Sequence, residues 1–67
     1  MINYNNTACV SYNEIVPELI YDEYLKRLIK RGAVSMVRRG SNGTAALIEF
    51  NTLPSHIKER YIKKIGA

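Results

Sequence analysis

The sequence predicts a small α+β domain, a winged helix-turn-helix built from a short strand, two helices, a β-hairpin wing and a C-terminal helix. Three observations carry this expectation. The stretch "YDEYLKRLIKRG" repeats apolar side chains at helical spacing, "MVRRGSNGTAALIEF" sets a Gly-Ser-Asn-Gly tetrapeptide between two apolar runs, and "LPSHIKERYIKKIG" opens a further amphipathic stretch behind a proline. At 67 residues the chain is expected to be one domain, 1–67. A chain this short buries only roughly 60% of the surface its unfolded form exposes, which predicts modest stability.

The elements follow in order. "ACVSYNEIV" begins as a short apolar strand, and residues 1–7 ahead of it are expected to form a loose N-terminal arm. Ser11 and Glu14 stand three apart as a capping box that starts a helix near Tyr12. Pro17 ends that helix within two turns, because a proline in a helix removes a hydrogen bond and clashes with the preceding turn. Pro17 to Ile20 then form a turn. Beyond it Tyr21, Tyr24, Leu25, Leu28 and Ile29 make one apolar stripe centred on Leu28, and Gly32 supplies the C-cap.

"AVSMVRR", "GSNG" and "TAALIEF" follow as strand, turn and strand, since Gly and Asn supply the positive φ angles of a reversal. Ala46, Ile48 and Phe50 are expected to face the same way and to meet Val34 and Met36. Leu47 breaks the alternation and leaves the register open. The last helix carries Leu53, Ile57, Tyr61, Ile62 and Ile65 on one face and Lys58, Glu59, Arg60, Lys63 and Lys64 on the other, with Pro54 near its first turn.

Composition excludes several classes. The chain is 46% hydrophobic and 24% charged, with no apolar run near the ~20 residues that span a bilayer, so a soluble protein is expected. "MINYNNTACV" has neither a cationic region nor a long apolar run of the secretory kind, and the expected location is the cytoplasm. Cys9 is the only cysteine and sits beside Val10, which marks it as a small buried hydrophobe rather than a reactive thiol. His56 is the only histidine and is expected at the surface, so no zinc ligand set exists. No His or Cys is paired to an activating base, and neither a phosphate-binding glycine loop nor a close carboxylate cluster is present. Tyr21, Tyr24 and Tyr61 fall on the apolar stripes as core or rim aromatics. The expectation is a chain with no catalytic site, no cofactor and no small-molecule substrate.

The formal net charge is +4, and its distribution is more telling than its size. Glu14, Glu18, Asp22 and Glu23 lie in the first third. Between Tyr24 and Ile48 stand Lys26, Arg27, Lys30, Arg31, Arg38 and Arg39 and no acidic residue. Lys26, Arg27, Lys30 and Arg31 on the second helix suit a polyanion, although acids leading and bases closing a helix also complement its dipole. At the hairpin, Arg38 and Arg39 precede a turn whose Ser41, Asn42 and Thr44 are able to donate to phosphate or sugar oxygens. An arginine at such a tip suits a narrow minor groove. Lys63 and Lys64 read as a solvated face. The expected partner is double-stranded DNA, contacted through Lys26, Arg27, Lys30, Arg31, Arg38, Arg39, Ser41, Asn42 and Thr44. The alternative is a protein-interaction module, or an excisionase-like regulator without catalytic activity.

The chain also resembles the N-terminal winged-helix domain of phage Mu-type transposases and the related Mu repressor. Lys30 and Gly32 closing the second helix, Arg38 and Arg39, Gly40 and Gly43 in a turn, Phe50, and Leu53-Pro54 opening a helix fall in that family's order. Val10, Ser11 and Glu14 sit where the family has a strand and a capped first helix, so the likeness runs from Cys9 to Ile65. Ala33 departs from it, since the family commonly has a large aromatic after the helix-closing glycine. The resemblance implies sequence-specific DNA binding at element ends or at an internal regulatory site. It implies too that any strand-transfer chemistry belongs to a separate downstream domain, this chain being one module of a longer transposase or regulator.

Overall fold

The computed structural model of the protein describes residues 1–66. The chain opens with a β-hairpin rather than a loose arm. Strand β1 (Ile2–Tyr4) pairs antiparallel with β2 (Thr7–Ser11), with Ile2 opposite Cys9 and Tyr4 opposite Thr7. Asn5 and Asn6 make the two-residue turn, both with positive φ (51° and 62°). Positive φ at both central positions is what a tight hairpin turn matching the strand twist requires, and asparagine tolerates it. The expectation of an arm over 1–7 is therefore corrected: residues 2–4 are a strand of the sheet.

The winged helix-turn-helix expectation is corrected as well. Strands β3 (Met36–Arg38) and β4 (Leu47–Glu49) do not stand apart as a wing. Antiparallel pairing of β4 with β2, Val10 opposite Ile48 and Ser11 opposite Leu47, closes one four-stranded antiparallel sheet of order β1-β2-β4-β3. The fold is a small α+β domain: N-terminal hairpin, two helices, two further strands and a C-terminal helix around that sheet. The break in alternation at Leu47 has its cause here. As a central strand, β4 is covered on both faces, and Leu47 and Ile48 are both buried although they point opposite ways.

The helices cover one face. Helix α1 (Tyr12–Ile15) is a single turn, opened as expected by the Ser11 N–H donating to Glu14 Oε1 at 3.1 Å and ended before Pro17. Helix α2 (Asp22–Lys30) closes at Gly32 (φ +80°), where Ala33 N–H donates to Leu28 O at 3.0 Å and Gly32 N–H to Ile29 O at 3.1 Å. This pair of bonds satisfies carbonyls that the helix end leaves open, and it needs the left-handed residue that glycine supplies. A 3-10 turn (Phe50–Thr52) leads into α3 (Ser55–Ile65). Leu25 and Leu28 of α2, Ile57 and Tyr61 of α3, and Ile15 of α1 pack with Val10, Ile48, Phe50 and Leu53 into one core.

Both long helices bury narrower stripes than their spacing predicts. Tyr21 is 78% exposed and Tyr24 41%, while on α3 Ile62 and Ile65 remain exposed. Tyr61 is a core residue, but Tyr21 is not. Among the described residues no helix is long and apolar enough to cross a membrane.

Candidate nucleic-acid interface

The residues between β3 and β4 form a loop that folds back toward the helices. Its tip is pinned by two backbone bonds, Ser41 N–H to Thr44 O at 2.8 Å and Thr44 N–H to Ser41 O at 2.9 Å, with Asn42 and Gly43 between them. Gly43 takes φ +81°. At the loop's neck Gly40 lies so close to its returning arm that a Cβ there would sit 3.2 Å from Ala46 N and 3.4 Å from Thr44 O. The glycines thus let a narrow, small-residue loop stand beside the helices.

An open groove of about 960 Å³ runs between this loop and the helices, lined by Tyr12 and Asn13 of α1, Lys26 of α2, Met36 of β3, and residues 39–46 of the loop, so that apolar Met36, Ala45 and Ala46 share it with the polar side chains. Cations stand on both walls. Lys26 pairs with Asp22 at 3.0 Å, but both side chains are well exposed, and such a surface pair holds its members weakly. The Tyr12 hydroxyl donates to Asp22 Oδ1, tying α1 to the first turn of α2 and fixing the groove floor. Burial, and after it the bond to Asp22, pushes the Tyr12 phenol up to about 12. The same bond, followed by the Lys26 ammonium, holds the Asp22 carboxyl below its ordinary range. Asp22 thus stays anionic beside Lys26.

Of the nine residues expected at the interface, five meet at this groove: Lys26, Arg39, Ser41, Asn42 and Thr44. Arg27, Lys30 and Arg31 are exposed but do not line it. At about 100° per residue, Lys30 follows Lys26 along the same flank of α2, whereas Arg27 and Arg31 turn toward Tyr24. Arg27 lines a separate depression with Pro17, Tyr21 and Tyr24.

Arg38 is not in the groove. Its neighbour on β4 is Leu47, and its Nη2 donates to Ala45 O at 2.9 Å while its Nε is buried without a partner among the described residues. Burial, then the nearby Glu49 carboxylate, pushes the Cys9 thiol up on the same side of the sheet. That thiol is fully buried, as its apolar neighbourhood predicts, and His56 is exposed.

Sequence reasoning missed Tyr12 and Asn13. Both lie on the one-turn helix that the Ser11/Glu14 box announces, and the signal available was that box placing them at its first two positions. Lys64, expected on a solvated face, instead donates to Glu14 O at 2.8 Å and pairs with Glu18, fastening α3 to α1. Comparison with protein-family models, curated proteins and solved structures finds no match.

Proposed function

We propose that this chain binds double-stranded DNA, with one phosphodiester strand lying in the groove between α2 and the 39–46 loop. The observation that carries the reading is the convergence of Lys26 and Arg39 on opposite walls of one groove, where Tyr12, Asn13, Ser41, Asn42 and Thr44 offer hydroxyl and amide groups beside the apolar Met36, Ala45 and Ala46. Such a surface offers two cations, several neutral donors and close backbone approach, which is the chemistry of a phosphate track. Lys30 follows Lys26 along the same flank of α2 and adds an exposed cation beside the groove, while the Asp22 carboxylate paired with Lys26 offsets part of that charge. A role at transposon ends or at a phage-type regulatory site, as the resemblance to Mu-type transposases implies, is the narrower form of the same proposal.

The test is a titration of duplex DNA against the chain across a range of salt. Each neutralised phosphate contributes a slope of about −0.9 in log affinity against log salt, so contacts from Lys26, Arg39 and the neighbouring Lys30 give about −2 to −3. Absence of binding to any duplex at low salt overturns the reading. A second reading, a protein-interaction module, is favoured by one observation: Tyr21 and Tyr24 are exposed beside Pro17, forming an aromatic surface of the kind enriched at protein interfaces.

A further inference from the structure

We propose that the outer edge of β1 is a self-association surface, and that its occupant is a second copy of this chain paired antiparallel across a two-fold axis. The sheet has two edges, β1 and β3. They are treated differently. Strand β3 is irregular, with a register shift between Met36 and Arg38, and it is followed directly by the exposed Arg39. Bulges and charges of this sort are how natural sheets keep an edge from pairing. Strand β1 has neither: its register is regular, it holds no proline, and Ile2 is 42% exposed.

The charge distribution sharpens the contrast. The chain has ten Lys and Arg and six Asp and Glu, and every one of them lies after residue 13. Two copies each carrying +4 repel, so a contact between them is least opposed where no charged side chain is presented. The β1 hairpin contributes no charged side chain of its own, and the cation set against it, Arg38, lies over the Tyr4 ring on the back of the sheet.

The backbone completes the argument. Beside a two-residue turn, Tyr4 and Thr7 are the pair that exchanges hydrogen bonds, so the N–H and C=O of Asn3 point away from β2 toward the open edge. Two such edges are self-complementary when Asn3 faces Asn3, because each then donates to the other's carbonyl. In that register Ile2 of one copy stands opposite Tyr4 of the other as a closely spaced pair without hydrogen bonds, an aromatic against a β-branched side chain, which is a favourable cross-strand combination. The result is an eight-stranded sheet with isologous symmetry. A three-residue strand pair covers far less than the ~1,200 Å² of a tight interface, so the association is weak and concentration-dependent.

Sedimentation equilibrium up to about 1 mM tests this, a range suited to a small interface. The parent mass should rise from one chain toward two as concentration increases, and more readily in added salt, which screens the net charge. Ile2→Lys should stay at one chain with an unchanged circular dichroism spectrum, whereas Met36→Lys, which adds the same charge at the other edge, should still associate. In the parent, exchange of the Asn3 amide should slow with concentration. A single-chain mass at every concentration, equal association of Ile2→Lys, equal loss in Met36→Lys, or exchange at Asn3 that ignores concentration each overturns the proposal; if Ile2→Lys fails to fold, the Asn3 measurement decides.

Discussion

The Arg38 guanidinium carbon lies 5.6 Å from the centre of the Tyr4 ring. The two residues belong to opposite edges of the sheet, with β4 and β2 between them. Strands are spaced about 4.8 Å apart, so the pair bridges roughly 14 Å and roofs the face opposite the helices. Beneath it Cys9 and Leu47 are almost fully buried without a helix to cover them. An arginine stem and a tyrosine ring thus do for the back of this sheet what α2 and α3 do for its front.

Replacing Arg38 should therefore act on stability. Arg38→Ala removes a cation–π contact worth about 0.5–1 kcal/mol and a hydrogen bond worth about 0.5–1.5 kcal/mol, and it uncovers Leu47. Relief of the unpartnered Nε offsets part of this loss. A net cost of about 1 kcal/mol lowers the melting temperature of a domain this size by about 4–8 °C. Arg38→Lys keeps the charge but not the planar fork, and should recover little of it. Calorimetry of both variants checks this; an unchanged melting point in Arg38→Ala removes the roof from the account.

The core makes a sharper prediction. Leu25 is fully buried and Leu28 is 8% exposed, so the centre of the α2 stripe lies one turn earlier than its spacing suggests. Leu25→Ala should cost about 2–5 kcal/mol, near the whole stability of a small domain, and Leu28→Ala should cost less. Urea unfolding of the pair measures the difference, and the reverse order would mean that α2 is rotated on the sheet.

Much of the helical layout was legible because its signals are local. The Ser11/Glu14 box, Pro17, Gly32 and Pro54 each act within a turn of where they stand: α1 begins and ends, α2 ends and α3 begins beside them. Sheet membership was less legible. Strand β1 is three residues long, too short for alternation to show, and its clue was the Asn5-Asn6 pair, whose tolerance of positive φ marks a hairpin turn. The pairing of β4 with β2 joins residues nearly forty positions apart, and no local pattern encodes it. The same holds for Arg38 and Arg39: adjacent in sequence, they go to different surfaces because one is the last residue of β3 and the other the first of the loop.

Titration of the Tyr12–Asp22 pair should shape stability at both ends of the pH scale. Asp22 has a folded pKa below its ordinary 3.8, so its contribution is present above that value and is lost as pH falls through the folded one. Tyr12 moves from 10.0 to about 12, so between those values the unfolded chain has lost a proton that the folded chain keeps, and stability falls as pH rises. Tyr61, raised first by burial and then by the charge of Glu14, adds to the alkaline loss. Tyr12→Phe should flatten the acid limb and part of the alkaline limb. Ultraviolet difference titration against the parent should isolate one phenol ionising near 12, and a difference centred at 10 would show that neither the burial of the phenol nor its bond to Asp22 holds in solution.

The groove itself is tested by three single substitutions that each remove one positive charge. If Lys26 and Arg39 touch phosphates, Lys26→Ala and Arg39→Ala should each weaken duplex binding and flatten the salt slope by about 0.9, and the double variant by about 1.8. Lys63 is the proper control, because it is exposed and engages no acid among the described residues. Lys64 is not, since its loss also frees Glu14 and Glu18 and loosens α3 from α1. Lys63→Ala should leave the slope unchanged and lower affinity only by its share of the general field. Arg38→Ala should behave like Lys63→Ala in DNA binding while losing stability, which separates the roof of the sheet from the groove. Equal losses at Lys26, Arg39 and Lys63 would replace a phosphate track with a diffuse cationic surface. Parent protein that binds no duplex at all would shift attention to the aromatic surface of Tyr21 and Tyr24.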